Sequence, residues 1–111
     1  MLMAVPLVLA LAQAGVSTSS SRDELAFGIE VAKRGLWNEA RFRFERAVAL
    51  DPENAEAHND LGVALEQQGE FAKARAAFET ALKLAPNSLY IQQNYDLFRE
   101  ADDKRNRKKK K

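Results

Sequence analysis

Residues 55–88 read AEAHNDLGVALEQQGEFAKARAAFETALKLAPNS, and residues 21–54 before them read SRDELAFGIEVAKRGLWNEARFRFERAVALDPEN. Laid one on the other, the two stretches share landmarks at a constant offset of 34 positions: Gly28 with Gly62, Gly35 with Gly69, Ala40 with Ala74, Phe44 with Phe78, Ala47 with Ala81, Leu50 with Leu84 and Pro52 with Pro86. Self-similarity at such a period marks a chain of stacked supersecondary units, each burying its apolar face on its neighbour. Within each unit, apolar positions recur at helical spacing on both sides of a central glycine. In the first unit these are Leu25, Phe27, Ile29 and Val31, then Ala40, Phe44, Ala47, Val48 and Leu50. In the second they are Leu61, Val63 and Leu65, then Ala74, Phe78, Ala81, Leu82 and Leu84. Each unit is predicted to be helix, turn, helix.

The punctuation agrees with that reading. Gly35 and Gly69 stand where a helix must stop and the backbone enters the left-handed region, which glycine does without steric cost. Pro52 and Pro86 end the second helices, and Asn54 and Ser88 are suited to cap the next ones. Ser21-x-x-Glu24 reads as a capping box that starts the first helix near Arg22. Gly28 and Ala40, with Gly62 and Ala74, fall where the helices of a hairpin cross, and their lack of bulk lets the axes approach to about 8–10 Å. Phe44 and Phe78 fill the space beside them, and Trp37 and Phe71 close the turns. Burying each such aromatic contributes on the order of 1.5–3 kcal/mol, so these side chains read as core and not as a binding feature.

With these residues on the page, the chain resembles the tetratricopeptide repeat proteins. In the second unit Leu61-Gly62, Leu65, Gly69-x-Phe71, Ala74, Phe78, Ala81 and Pro86 fall on the family's signature positions; the first matches through Gly28, Gly35-x-Trp37, Ala40, Phe44, Ala47 and Pro52. The resemblance covers repeats 21–54 and 55–88 and implies an all-α fold, a right-handed α-solenoid of about five helices. At the fourth position of each unit, where the family has a large apolar residue, stand Glu24 and His58, and weaker contacts are expected there. A third unit begins after Ser88, but Asp96 replaces a small residue and no glycine follows. Residues 89–103 are therefore expected to form one capping helix, with Leu89, Ile91, Tyr95 and Phe98 packed inward and Gln92, Gln93, Asp96 and Arg99 in water.

The resemblance also implies a function: a protein–protein interaction scaffold or adaptor that holds a peptide or partner helix on its concave face. The family's inward positions carry over to Arg22, Leu25, Ile29 and Ala32, to Glu56, Asn59, Val63 and Glu66, and to Tyr90, Gln93, Leu97 and Glu100. The expected partner-binding set is Leu25, Ile29, Asn59, Val63, Tyr90, Gln93 and Leu97. One subclass clamps a C-terminal carboxylate with Lys and Asn residues. Here Leu25, Ile29, Asp60, Tyr90 and Asn94 occupy those places, so that clamp is absent. The expected ligand is an apolar extended or helical segment with basic flanks, met by Leu25, Ile29, Val63 and Leu97. The competing reading is that these residues merely cover the inner face, since isolated exposed apolar side chains are common. A homo-oligomeric structural protein is the alternative, because short repeat arrays gain stability from each added neighbour.

Outside the repeats, residues 1–14 contain an apolar run and the small-x-small triplet Ala12-Gln13-Ala14, the pattern of a cleaved signal peptide, followed by a polar linker to residue 21. Cleavage would place the protein in the periplasm or outside the cell; without it a cytoplasmic location is expected. An uncleaved anchor is disfavoured, because about sixteen helical residues reach only about 24 Å of a roughly 30 Å hydrocarbon core. Of 17 Lys and Arg residues, seven lie in KRNRKKKK at positions 104–111, leaving ten basic against 16 acidic residues, or −6, in the rest. Residues 104–111 are expected to be a disordered basic tail, with Lys108, Lys109, Lys110 and Lys111 able to contact an anionic membrane or cell-envelope surface. Nucleic acid is the weaker reading, since no aromatic residue lies in the tail to stack on bases.

Enzymatic chemistry finds little support. There is no cysteine, hence no thiol nucleophile, thiolate metal site or disulfide. The one histidine, His58, sits at a hairpin-packing position without an evident nucleophile, and Asp60 lies on another helical face. Adjacent Asp102 and Asp103 fall far short of a cation site, and no glycine loop suits phosphate. Neither metal nor cofactor is expected.

Overall fold

The computed structural model describes residues 19–110. Five α-helices follow in order: α1 (Ser21–Lys33), α2 (Trp37–Leu50), α3 (Ala55–Gln67), α4 (Phe71–Leu84) and α5 (Leu89–Lys109), with no strand among the described residues. The first fourteen residues, and with them the expected signal peptide, lie outside the described residues, as does Lys111. No helix among those described is long and apolar enough to cross a membrane.

The 34-residue period governs the helix ends as well as the core. Ser20, Asn54 and Ser88 are the N-caps of α1, α3 and α5, and their side chains accept from the amides of Asp23, Ala57 and Ile91. The capping box is thus Ser20 with Asp23, whose carboxylate accepts from the Ser20 amide, and the expected pair Ser21 and Glu24 is corrected by one position. Ser21 is inside the helix and donates to the Ala47 carbonyl at 2.8 Å. Gly35 and Gly69 adopt φ of 77° and 79°. Beyond each, the amides of Leu36 and Glu70 reach back to the carbonyls of Val31 and Leu65, satisfying acceptors that a bare helix end leaves free.

Inside each hairpin a phenylalanine ring lies against a glycine. A Cβ on Gly28 would stand 2.5 Å from Phe44 Cε1, so that position needs hydrogen as side chain, whereas one on Gly62 would stand 3.0 Å from the Phe78 ring, a tight contact that a small shift of the ring relieves. Ala40, Ala47, Ala74 and Ala81 are fully buried where the helices cross. Phe98 of α5 packs on Phe78 with ring centroids 5.3 Å apart, and Tyr95 lies 6.4 Å from the same ring.

The last helix docks as the first helix of a third unit would. Arg41 of α2 donates to Gln68 at the end of α3 at 3.0 Å, and 34 positions on, Arg75 of α4 donates to Asp102 of α5 at 2.8 Å. Ile91 and Phe98 are buried as expected, but Leu89 is 78% exposed, a correction to the predicted inner face. The larger correction is length. Instead of ending at Asp103 with a disordered tail, α5 continues to Lys109. Asp103 occupies the register of Gly35 and Gly69, so nothing turns the chain into the left-handed region. Lys104 pairs with Glu100 at 3.1 Å and Arg105 with Asp102 at 3.1 Å, and the basic residues lie at the negative end of the helix.

Glu24, expected to weaken its hairpin, is instead only 2% exposed and bound by Arg43 at 3.2 Å and Arg46 at 3.0 Å. Burial opposes the charged form, but the hydrogen bonds from Arg46 and Arg43 outweigh it and hold the carboxyl below its ordinary value. Arg43 also lies 4.2 Å over Phe27, which is half exposed, a correction to its place among the first unit's apolar positions.

Candidate functional site

Between the first helices of successive units lies a cavity of about 290 Å³. Ile29, Ala32 and Lys33 of α1 form one wall; Glu56, Asp60 and Val63 of α3 form the other. Trp37 and Phe44 of α2 line it too, and Tyr90 at the start of α5 stands at its edge. The spacing explains the grouping: Ile29, Ala32 and Lys33 share a face of α1, as Glu56, Asp60 and Val63 share one of α3. Three of the seven predicted partner-binding residues, Ile29, Val63 and Tyr90, are brought together here.

The other four are not. Leu25 is buried in the first core cluster, and Asn59 is fully buried between α3 and α5, so neither offers a free side chain. Asn59 accepts from Asn94 and donates to Asp60 Oδ1, both at 3.2 Å. Gln93 is exposed and Leu97 is 67% exposed, but neither lines the cavity. At the ninth position of the unit Ile29 and Val63 line the cavity and Leu97 does not; at the fifth, adjacent helices close over Leu25 and Asn59, while Gln93 stays exposed away from it.

Asp60, absent from the predicted set, is the unusual group. It is 9% exposed, and its Oδ2 is buried with no hydrogen-bond partner. Burial raises its pKa to about 6; the Asn59 hydrogen bond opposes the rise and Glu56, one turn away, adds to it. Its signal in the sequence was an acid on the face of α3 that also bears Glu56 and Val63, unmatched by an acid at Ala26 in the first unit.

Elsewhere, a broader polar depression of about 750 Å³ lies along the turns and includes Asn38, Arg41 and Gln68, already bonded to one another. His58 Nε2 lies 2.8 Å from the Pro52 carbonyl oxygen, a local contact at the start of α3. Asp102 is bound by Arg75 and Arg105; the Arg75 hydrogen bond, against burial and with help from Arg105, holds its carboxyl below the ordinary value. Arg105 also stacks 3.5 Å over Phe71. Lys108 and Lys109 lie exposed in the last turn of α5, with Lys110 as its cap.

The comparisons with known proteins agree with this architecture. Protein O-mannosyl-transferase TMTC1 of Mus musculus is 37% identical over 67 residues, which are 60% of this chain and 7% of that protein. The chain thus spans a small fraction of the relative's length. The sequence profile described as tetratricopeptide repeat, a kind of repeat that generally mediates protein–protein interaction, matches residues 25–88, more than half of the chain. Capped, glycine-stopped hairpins at a 34-residue period and this match together make the chain a member of the tetratricopeptide repeat family.

Proposed function

We propose that the protein is a binding scaffold that holds an extended or helical segment of a protein partner in the cavity between α1 and α3. The observation that carries this reading is the cavity itself, where Ile29, Val63, Trp37 and Phe44 converge beside a few polar groups, the usual composition of a recognition site. Chemistry of its own is not part of the reading. His58 is engaged with a backbone carbonyl, and the transferase activity named for the mouse relative belongs to a protein of which this chain matches 7%. The test is selection of binders from a displayed random peptide library, followed by methyl NMR mapping. Binders should perturb Ile29 and Val63 and be lost in the Ile29→Asp, Val63→Asp double variant at unchanged helix content. Binders indifferent to that change, or none at all, would refute it.

A second reading is favoured by the basic end of α5, where Lys104, Arg107, Lys108, Lys109 and Lys110 are exposed. They form a cationic rod that tethers the protein to an anionic membrane or envelope surface. Sedimentation with anionic but not neutral phospholipid vesicles, abolished by truncation after Asp103, is the expected result; equal sedimentation with both vesicle types would end the idea. Export with cleavage near Ala14 belongs to the same reading, and mass spectrometry of the mature N-terminus tests it. Self-association through exposed Leu89 and Leu97 is a further form of the scaffold, checked by light scattering against concentration.

A further inference from the structure

The free protein leaves one acid unprovided for. Asp60 Oδ1 is held by Asn59, itself held by Asn94 of α5, so a chain of amides fixes the carboxylate against the cavity wall. Its Oδ2 has no donor, although a buried carboxylate oxygen without one is costly. Glu56 adds a second negative charge at the same cavity, and the rest of the wall is mainly apolar. A neutral ligand would leave Oδ2 unsatisfied, and an acidic one would add repulsion. An ammonium or guanidinium group entering the cavity brings a positive charge and donors to the wall where the nine-tenths-buried Asp60 carboxylate sits beside Glu56, and a charge-assisted pair there offsets the cost of the uncompensated acid. The stem of a lysine or arginine is apolar and fits against Ile29 and Val63 while its head meets the acids.

We propose that this cavity selects partner segments by one cationic side chain, a lysine or arginine, seated on Asp60 with Glu56 beside it and flanked by apolar residues. The inference rests on the scaffold reading above and adds the charge of the residue recognised. Lys33 is the opposing charge at the cavity, and as an exposed side chain on the rim it can swing clear.

Four pools of acetylated nonapeptides, degenerate in apolar residues and carrying arginine, lysine, citrulline or glutamate at the centre, are passed over the immobilised full chain near pH 7.5. The arginine and lysine pools should be retained at least about tenfold more than the citrulline and glutamate pools, a discrimination typical of a buried charge partner. Asp60→Asn should erase that difference while leaving retention of the citrulline pool unchanged, and Glu56→Gln should reduce it. Circular dichroism of each variant confirms the fold. If all four pools bind alike and Asp60→Asn alters nothing, the cation site is refuted while the scaffold reading stands. If no pool binds, both fall.

Discussion

Replacing Asp60 by asparagine should stabilise the free protein, and only above the pH at which the acid ionises. The side chain is nine-tenths buried, with one oxygen lacking a partner, and burial lifts its pKa from 3.8 to about 6. Between those values the folded chain binds more protons than the unfolded one, so stability falls as pH rises from about 4 to about 6 and stays reduced above. The rise corresponds to about 3 kcal/mol, at about 1.4 kcal/mol for each tenfold change in proton affinity. Asparagine keeps a carbonyl oxygen for the Asn59 amide and carries no charge. The assay is urea unfolding of both proteins by circular dichroism from pH 3.5 to 8. The two should be nearly equal below pH 4 and separate by up to about 3 kcal/mol in favour of the variant above pH 6.5. Repulsion from Glu56 on α3 is part of the rise, so its removal with the Asp60 charge contributes to the expected gap; Lys33 on α1 and Tyr90 on α5 also border the cavity and are present in both proteins. A gap independent of pH, or a less stable variant at pH 7.5, would show that Asp60 is not a buried uncompensated carboxylate.

Gly28→Ala should lower the melting temperature more than Gly62→Ala, because the added methyl meets Phe44 at 2.5 Å in one case and Phe78 at 3.0 Å in the other. Overpacking costs about 1–3 kcal/mol against a helix-propensity gain of about 1 kcal/mol, which leaves Gly62→Ala near neutral. Arg75→Ala should loosen α5 by about 1.5–3 kcal/mol, seen as faster amide exchange from Ile91 to Asp102. Because Asp102 is held below its ordinary pKa, the pair's contribution is present above about pH 4 and is lost as pH falls further, where wild type and variant should converge. Asp103→Gly should stop α5 where Gly35 and Gly69 stop the earlier helices; carbon-13 shifts of residues 104–109 that stay helical in the variant would contradict that account.

Most of the fold was legible because a repeat states its own register. Glycines, alanines and prolines 34 apart fixed the hairpins, and subtracting the same period from Asn54 leads to Ser20, the true first cap. The end of α5 is not legible in the same way: the basic run after Asp103 reads as a disordered tail by its charge, but with no glycine at position 103 nothing stops the helix, and pairing with Glu100 and Asp102 supports its continuation. Glu24 was misjudged since its partners, Arg43 and Arg46, lie on the other helix of the hairpin, and sequence alone does not show that both reach it. In the cavity, Ile29 and Val63 followed from the inward positions that the family resemblance implies. Leu25 and Asn59, inward by the same resemblance, do not line it, because whether an inward side chain stays open depends on how closely the next helix lies over it.

Asp60 belongs to the same problem of register, and comparison along it separates a structural acid from one kept for a ligand. Its equivalents 34 positions away are Ala26 and Asn94. Asn94 serves the packing fully, donating to Asn59 without carrying charge. If position 60 served only to join α3 to its neighbours, an amide there would do so without burying a charge, whereas the acid buries one with an oxygen unpaired. The two structural acids in this chain are treated otherwise: Glu24 and Asp102 are each bound by two arginines. The unpaired acid is the one that borders the cavity. A cation brought by a partner would give Asp60 what arginines give the other two, so the charge that weakens the free fold would strengthen the complex.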